Sequence, residues 1–145
     1  MIIESTINLE LPIALVFEKV SNPLGFPQWM QNFRSRQPLG DSDTAVGNQA
    51  EHIQEALGRK IKFIETILEV NPPYLFRIQL DSKDIDVKVT YQLSALSPNL
   101  TYLVVTEEIT LKAFFMRTVS GLVKSMMQKR QEEDLLALKK NILTI

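Results

Sequence analysis

A chain of 145 residues that is 45% hydrophobic and 23% charged has the apolar content for one compact domain with its own core, and we expect a single domain over 1–145. Sixteen Lys and Arg against seventeen Asp and Glu leave a formal charge of -1, a balance that supplies no field suited to nucleic acid or to an anionic membrane. Without cysteine there is no disulfide framework, no thiol nucleophile and no zinc-thiolate site.

Residues 2–11 alternate as a strand, with Ile3, Ser5, Ile7 and Leu9 on one face and Glu4, Thr6, Asn8 and Glu10 on the other. The same opening, MIIESTINLE, lacks the basic end and apolar run of a signal peptide, and no apolar run approaches the roughly 18 residues of a spanning helix. A cytoplasmic protein with no integral membrane association is therefore expected. Pro12 suits the first turn of a helix, whose stripe is Ile13, Val16, Phe17 and Val20 and which Ser21-Asn22-Pro23 stops. A second short helix is expected over 24–32, carrying Phe26 and the single tryptophan, Trp29, with Phe33 just beyond it.

Six strand-like runs follow, over 34–39, 48–57, 60–70, 74–80, 84–96 and 100–111. Turns at Leu57-Gly58-Arg59, Asn71-Pro72-Pro73, Asp81-Ser82-Lys83 and Ser97-Pro98-Asn99 divide the later ones, and the longest loop is 40–47. Residues 84–93 alternate cleanly, Ile85, Val87, Val89, Tyr91 and Leu93 against Asp84, Asp86, Lys88, Thr90 and Gln92, as in an antiparallel sheet with one wet face. The last thirty or so residues read as one long helix, with a stripe through Met116, Val119, Val123, Met127, Leu135, Leu138 and Ile142. That helix is the element long enough to cover the sheet, so its stripe is expected to be used there, which disfavours membrane attachment through it. A curved sheet wrapped around a helix tends to leave a cleft between them.

Polar groups interrupt apolar faces at three places. In 48–57 the alternation places Glu51 and Glu55 outward and Ala50, His52, Gln54 and Ala56 inward. His52 reads either as a structural histidine bonded to its neighbours or as a cavity group beside small alanines. In 100–111 Glu107 shares a face with Leu103, Val105 and Ile109, unless a one-residue bulge exchanges it for Glu108. On the terminal helix Arg130 and Asp134 have the i, i+4 spacing of an ion pair. Arg34, Arg36, Lys60 and Lys62 read as part of a solvated surface among interspersed acids. One histidine excludes multi-histidine metal sites, Asp41-x-Asp43 fails as a calcium loop, and no phosphate-cradling glycine loop, dinucleotide fingerprint or nucleophile elbow is present. We expect no metal and no cofactor.

The order of elements, the VF-x-K-V helix after the first strand, the FPQWM turn, the GRKIKFIETILEVNPPYLF hairpin and the closing EEDLLALKKNI helix resemble the START-like helix-grip superfamily, also called SRPBCC. That superfamily includes the polyketide cyclase/dehydrase-like and pollen-allergen-like proteins, and the likeness runs over essentially the whole chain. The resemblance implies an α+β fold, a curved antiparallel sheet of about seven strands with two short helices after strand 1, wrapped around a long C-terminal helix. It also implies an apolar cavity beneath that helix, which relatives use for lipids, sterols, hormones or polyketides. In this chain the cavity would be lined by some of Trp29, Phe33, His52, Phe76, Val87, Tyr91, Val119, Val123 and Met127.

Two functions are open at this point. One is binding or transport of a small hydrophobic molecule: a lipid, sterol, polyketide or aromatic metabolite. The other is a cyclase/dehydratase-type enzyme on an aromatic substrate, with His52 as general acid or base and Glu107 or Arg130 polarising a carbonyl. A protein-partner or chaperone-cofactor role is a third option. The terminal helix itself grades from small residues (Val119, Ser120, Gly121, Val123) to bulky ones (Leu135, Leu136, Leu138, Ile142), which marks its first half as a roof and its second as an anchor.

Overall fold

Alternation in the sequence becomes one seven-stranded antiparallel sheet. A computed structural model describes residues 1–41, 43–56 and 58–142; Ser42, within the 40–47 loop, and Leu57, where the 48–57 strand was expected to end, lie outside the described residues. The strands are β1 (Ile2–Leu9), β2 (Phe33–Pro38), β3 (Gln49–Ala56), β4 (Arg59–Asn71), β5 (Leu75–Asp81), β6 (Ile85–Ser97) and β7 (Leu100–Leu111). Their order across the sheet is β1-β7-β6-β5-β4-β3-β2. Every strand is within two residues of its expected bounds. The turn after β4 contains a cis Pro72–Pro73 peptide, and Gly58 begins β4's hairpin with φ 73°, a conformation that glycine adopts without steric cost.

Helix α1 (Ile13–Ser21) packs against β6 and β7, burying Val16, Phe17 and Val20 as the stripe predicts. Phe17 meets Phe76 edge to face at 6.5 Å. The second helix is shorter than expected: a 3₁₀ turn over Pro23–Gly25, capped by the Asn22 side chain, leads into α2 (Phe26–Trp29). The terminal segment is not one helix but two, α3 (Phe114–Thr118) and α4 (Ser120–Asn141). Val119 stands between them with φ -115° and ψ 28°. The break lets the chain leave the end of β7, seat Met116 inward and then cross the sheet in a new direction.

The C-terminal half of α4 lies along β1 and against α2, with Leu135 and Leu138 buried. Leu136, counted with the anchoring residues from the sequence, instead points outward and is 63% exposed. The N-terminal half stands off the middle of the sheet. This α+β arrangement is a helix-grip fold, and the space under the raised half of α4 is where a site can form.

Candidate functional site

Period-two geometry aims the inward side chains of β3 to β7 at one volume, and α2, α3 and α4 close over it. The resulting cavity is about 360 Å³, within the range of small-molecule sites. Its floor is largely aliphatic, with Ile78, Leu80, Ile85, Val87, Val89 and Val105. Its roof comes from Met116, Val123, Met126 and Met127, and Trp29 and Phe33 close one side. Three methionines make the roof adaptable, since the thioether chain fills irregular shapes. Of the lining residues Arg34, Gly58 and Met126 are exposed, so the cavity opens between the turn that precedes β4, the start of β2 and the first turns of α4.

Seven of the nine lining residues read from the sequence border this volume: Trp29, Phe33, His52, Val87, Tyr91, Val123 and Met127. Two do not. Phe76 is 1% exposed, clamped between Phe17 and Tyr91 beneath α1, because α1 covers that end of the sheet before the cavity begins. Val119 is 44% exposed, because the helix breaks there and turns it outward.

The polar groups form two clusters, each assembled from distant parts of the chain. In the first, the Nδ1 of His52 lies 3.0 Å from Glu65 Oε1, and its Nε2 lies 3.1 Å from the amide nitrogen of Gln54. Glu65 also accepts from both Nε and an Nη of Arg36, at 3.0 and 2.8 Å. Burial alone would raise the Glu65 carboxyl, but the hydrogen bonds from His52 and Arg36 outweigh it and hold it below its ordinary value. His52 is 0% exposed and boxed by the rings of Phe26, Phe33 and Phe63. It therefore borders the cavity while presenting no free nitrogen to it. Arg36, expected on a solvated surface, is instead part of this buried chain, because the bulge between Phe33 and Ser35 in β2 turns it to the inner face opposite His52.

The second cluster hangs from α4. Arg130 donates through one terminal nitrogen to both oxygens of Glu107 at 2.7 Å, and through the other to Asp134 at 3.3 Å. Glu107 is 5% exposed and its register against β1 and β6 is unbroken, so it and not Glu108 faces inward. Gln131 bridges from Glu107 to the Ser5 hydroxyl, and Asp134 accepts from the backbone N–H of Gln31. Burial pushes the Asp134 carboxyl up to about 6, against the pull of Arg130. Burial opposes the charge on Arg130, yet Glu107 and Asp134 together raise its affinity for the proton.

Between these clusters stands Tyr91, 4% exposed, on the cavity wall. Its hydroxyl has no hydrogen-bond partner among the described residues, and it is not sealed away from the cavity as the Trp29 Nε1–H is. Burial, followed by the charge of Glu107, raises the phenol well above its ordinary range, so it stays protonated and able to donate. The sequence placed Tyr91 on the inward face; its free hydroxyl was not foreseen. Glu65 was missed as well, although Phe63, Glu65 and Ile67 share the inner face of β4 by simple alternation.

A family model described as polyketide cyclase / dehydrase and lipid transport matches residues 1–142. The chain belongs to this family. No curated protein matches the chain in sequence. Among solved structures, a START superfamily protein from Mycobacterium smegmatis superposes with a TM-score of 0.84 at 16% identity, covering 99% of this chain and 97% of that one. An aromatase/cyclase from Streptomyces sp. R1128 gives 0.82 at 13% identity over 98% and 93% of the two chains. A Thermus thermophilus protein gives 0.84 at 16% identity over 99% and 98%. At these identities the structural likeness speaks for the fold, and membership of the polyketide cyclase/dehydrase and lipid transport family supports a hydrophobic ligand-binding or cyclase-type role. No helix among the described residues is long and apolar enough to cross a membrane.

Proposed function

We propose that this family member binds one small, largely apolar molecule in the cavity under α4, with a neutral oxygen of that molecule held by the Tyr91 hydroxyl. The observation that carries this reading is the division of labour among the polar groups. His52, Glu65, Arg130, Glu107 and Asp134 all satisfy one another, while the donor of Tyr91 is left for a guest. A buried polar group is stable when bonded, so the paired clusters support the shape of the site and Tyr91 selects what enters it. An anionic headgroup at this end would face the carboxylates of Glu107 and Asp134, which favours a carbonyl or hydroxyl over a carboxylate.

Native mass spectrometry of the protein purified from its own source should show one added mass per chain, released unchanged on denaturation. Nile red, a neutral carbonyl-bearing dye, should titrate to one site per chain. Tyr91→Phe should weaken it by about fivefold to tenfold, the worth of one hydrogen bond, while leaving the melting temperature unmoved. Equal affinity in wild type and Tyr91→Phe would remove the selecting role given to the hydroxyl.

A cyclase-type reaction is the second reading, and the same hydroxyl favours it, because a protonated donor beside Arg130 is placed to polarise a ketone. His52 is a poor general base in this setting, with both ring nitrogens engaged. Recovery of a chemically altered, dehydrated or cyclised product from a poly-β-ketone, lost in Tyr91→Phe, would select the enzyme over the binder.

A further inference from the structure

Beside the cavity mouth the molecule exposes a run of large apolar side chains. Phe114 is 78% exposed, Phe115 50%, Val119 44%, Leu122 63% and Met126 43%. Single exposed apolar residues need no explanation, but these five come from one stretch of thirteen residues. Val119 at the break and Leu122 and Met126 on the outer side of α4 are spaced three and four apart, while Met116 of α3 and Val123 and Met127 of α4 point inward. The terminal segment thus carries two apolar stripes, and covering the sheet uses only one. Met126 belongs to both the exposed stripe and the cavity lining, so the patch is continuous with the mouth.

The charge around this patch is one-sided although the whole chain is balanced. Between Glu108 and Glu132 lie Lys112, Arg117, Lys124, Lys129 and Arg130 and no acid. Arg130 is committed to the cavity and Lys112 to Asp86, but Arg117 and Lys124 are exposed and enter no ion pair among the described residues. Across the mouth the β4 hairpin adds exposed Arg59 and Lys60, and the Arg59 guanidinium stands 5.5 Å over the Phe115 ring, tying the two rims together. Of the neighbouring acids, Asp86 is paired with Lys112 and Glu55 with Arg34, while Asp84, next to Lys83 in the chain, and Asp81, opposite Asp86, enter no ion pair among the described residues.

We propose that this patch docks the protein peripherally on an anionic phospholipid surface, with the cavity mouth turned toward the lipid. Protruding phenylalanines flanked by long basic side chains match a headgroup layer, where rings insert to shallow depth and the cations meet phosphates. A protein partner or a second copy of the chain would have to supply acids to meet Arg59, Lys60, Arg117 and Lys124, which a phosphate layer supplies everywhere. The local charge overrides the formal balance of -1, because screening limits each group's reach to about 8–10 Å.

Sedimentation with vesicles tests the assignment, read without any added small molecule and hence independently of what the cavity holds. Wild type should pellet with vesicles of phosphatidylcholine containing phosphatidylserine, less with phosphatidylcholine alone, and progressively less as salt rises. The pair Phe114→Ser and Phe115→Ser should lower partitioning by about tenfold or more, and Leu122→Gln by a smaller factor in the same direction. Arg117→Glu with Lys124→Glu should lower it by a similar factor and weaken the salt dependence, Arg59 and Lys60 remaining. All these positions are exposed, so unchanged melting curves are expected to accompany the losses. Failure of wild type to pellet with either vesicle, or pelleting by the phenylalanine and charge variants equal to that of wild type, overturns the proposal. A concentration-dependent dimer that the serine pair dissolves, without vesicle binding, would assign the patch to a second copy and likewise overturns it.

Discussion

Arg130 holds two buried carboxylates at once, so its removal should be costlier than the loss of either partner. Arg130→Met would leave Glu107 and Asp134 without a cation, and we expect a cost of about 3 to 5 kcal/mol in urea unfolding. Asp134 acts in the opposite sense. Its folded pKa of about 6 lies above the ordinary 3.8, so the folded state binds the proton more tightly and stability falls as pH rises from about 4 to 6. Asp134→Asn keeps an acceptor for Gln31 and removes that loss. It should be more stable than wild type at pH 7, by on the order of 1 to 2 kcal/mol, and equal to it below about pH 4. A variant less stable at pH 7 would show that the Arg130 contact outweighs burial. With both ring nitrogens engaged and no exposed surface, we expect His52 to act on stability. His52→Ala would leave a gap among three aromatic rings and take one donor from Glu65, at a cost of about 2 to 4 kcal/mol.

The two halves of α4 make different demands on their side chains. Leu138 is 0% exposed in the anchoring half, and Leu138→Ala should cost roughly 2 to 5 kcal/mol. Val123 is as well buried as many core residues, at 4% exposed, but what it faces is the cavity. Val123→Trp should therefore fill that volume, abolish Nile red binding and leave stability within about 1 kcal/mol of wild type. Unfolding comparable to Leu138→Ala would mean that Val123 is packed core. Gly121 lies two residues into the roof with open space where a Cβ would stand. Gly121→Ala should stabilise the helix by roughly 1 kcal/mol, and slower dye uptake in stopped flow would tie that local softness to admission of the ligand. Much of this was legible in the gradient from small to bulky residues along the segment. The break at Val119 was not, because Gly121, the one glycine nearby, falls inside α4 and not at the break; it arises where the chain must change direction between the end of β7 and the line of α4.

For the molecule as a whole, binding in the cavity should appear as ligand-linked stability. A dye present at a hundredfold excess over its Kd should add about 2.7 kcal/mol to unfolding, and Val123→Trp should show none of it. What the amino-acid sequence determined by itself is the content of each face. The period of two placed Val87, Val89 and Tyr91 together, and the period of 3.6 set Val123 and Met127 beneath α4, since side-chain direction within one element is a local property of the backbone; the choice of Glu107 over Glu108 waited on the unbroken register of β7. What only tertiary structure decided is which faces meet. Phe76 and Val87 share the inner face of the sheet, yet α1 closes over one and the cavity opens over the other. Glu65, Arg36 and His52 become one buried chain only when β2, β3 and β4 pair in register, and a bulge in β2 brings Arg36 to the inner side. Phe114, Phe115 and Leu122 read as ordinary apolar content until the fold leaves them without cover. Contacts between elements depend on register, helix placement and breaks, and these are settled by the packing of the whole chain, where no local period records them.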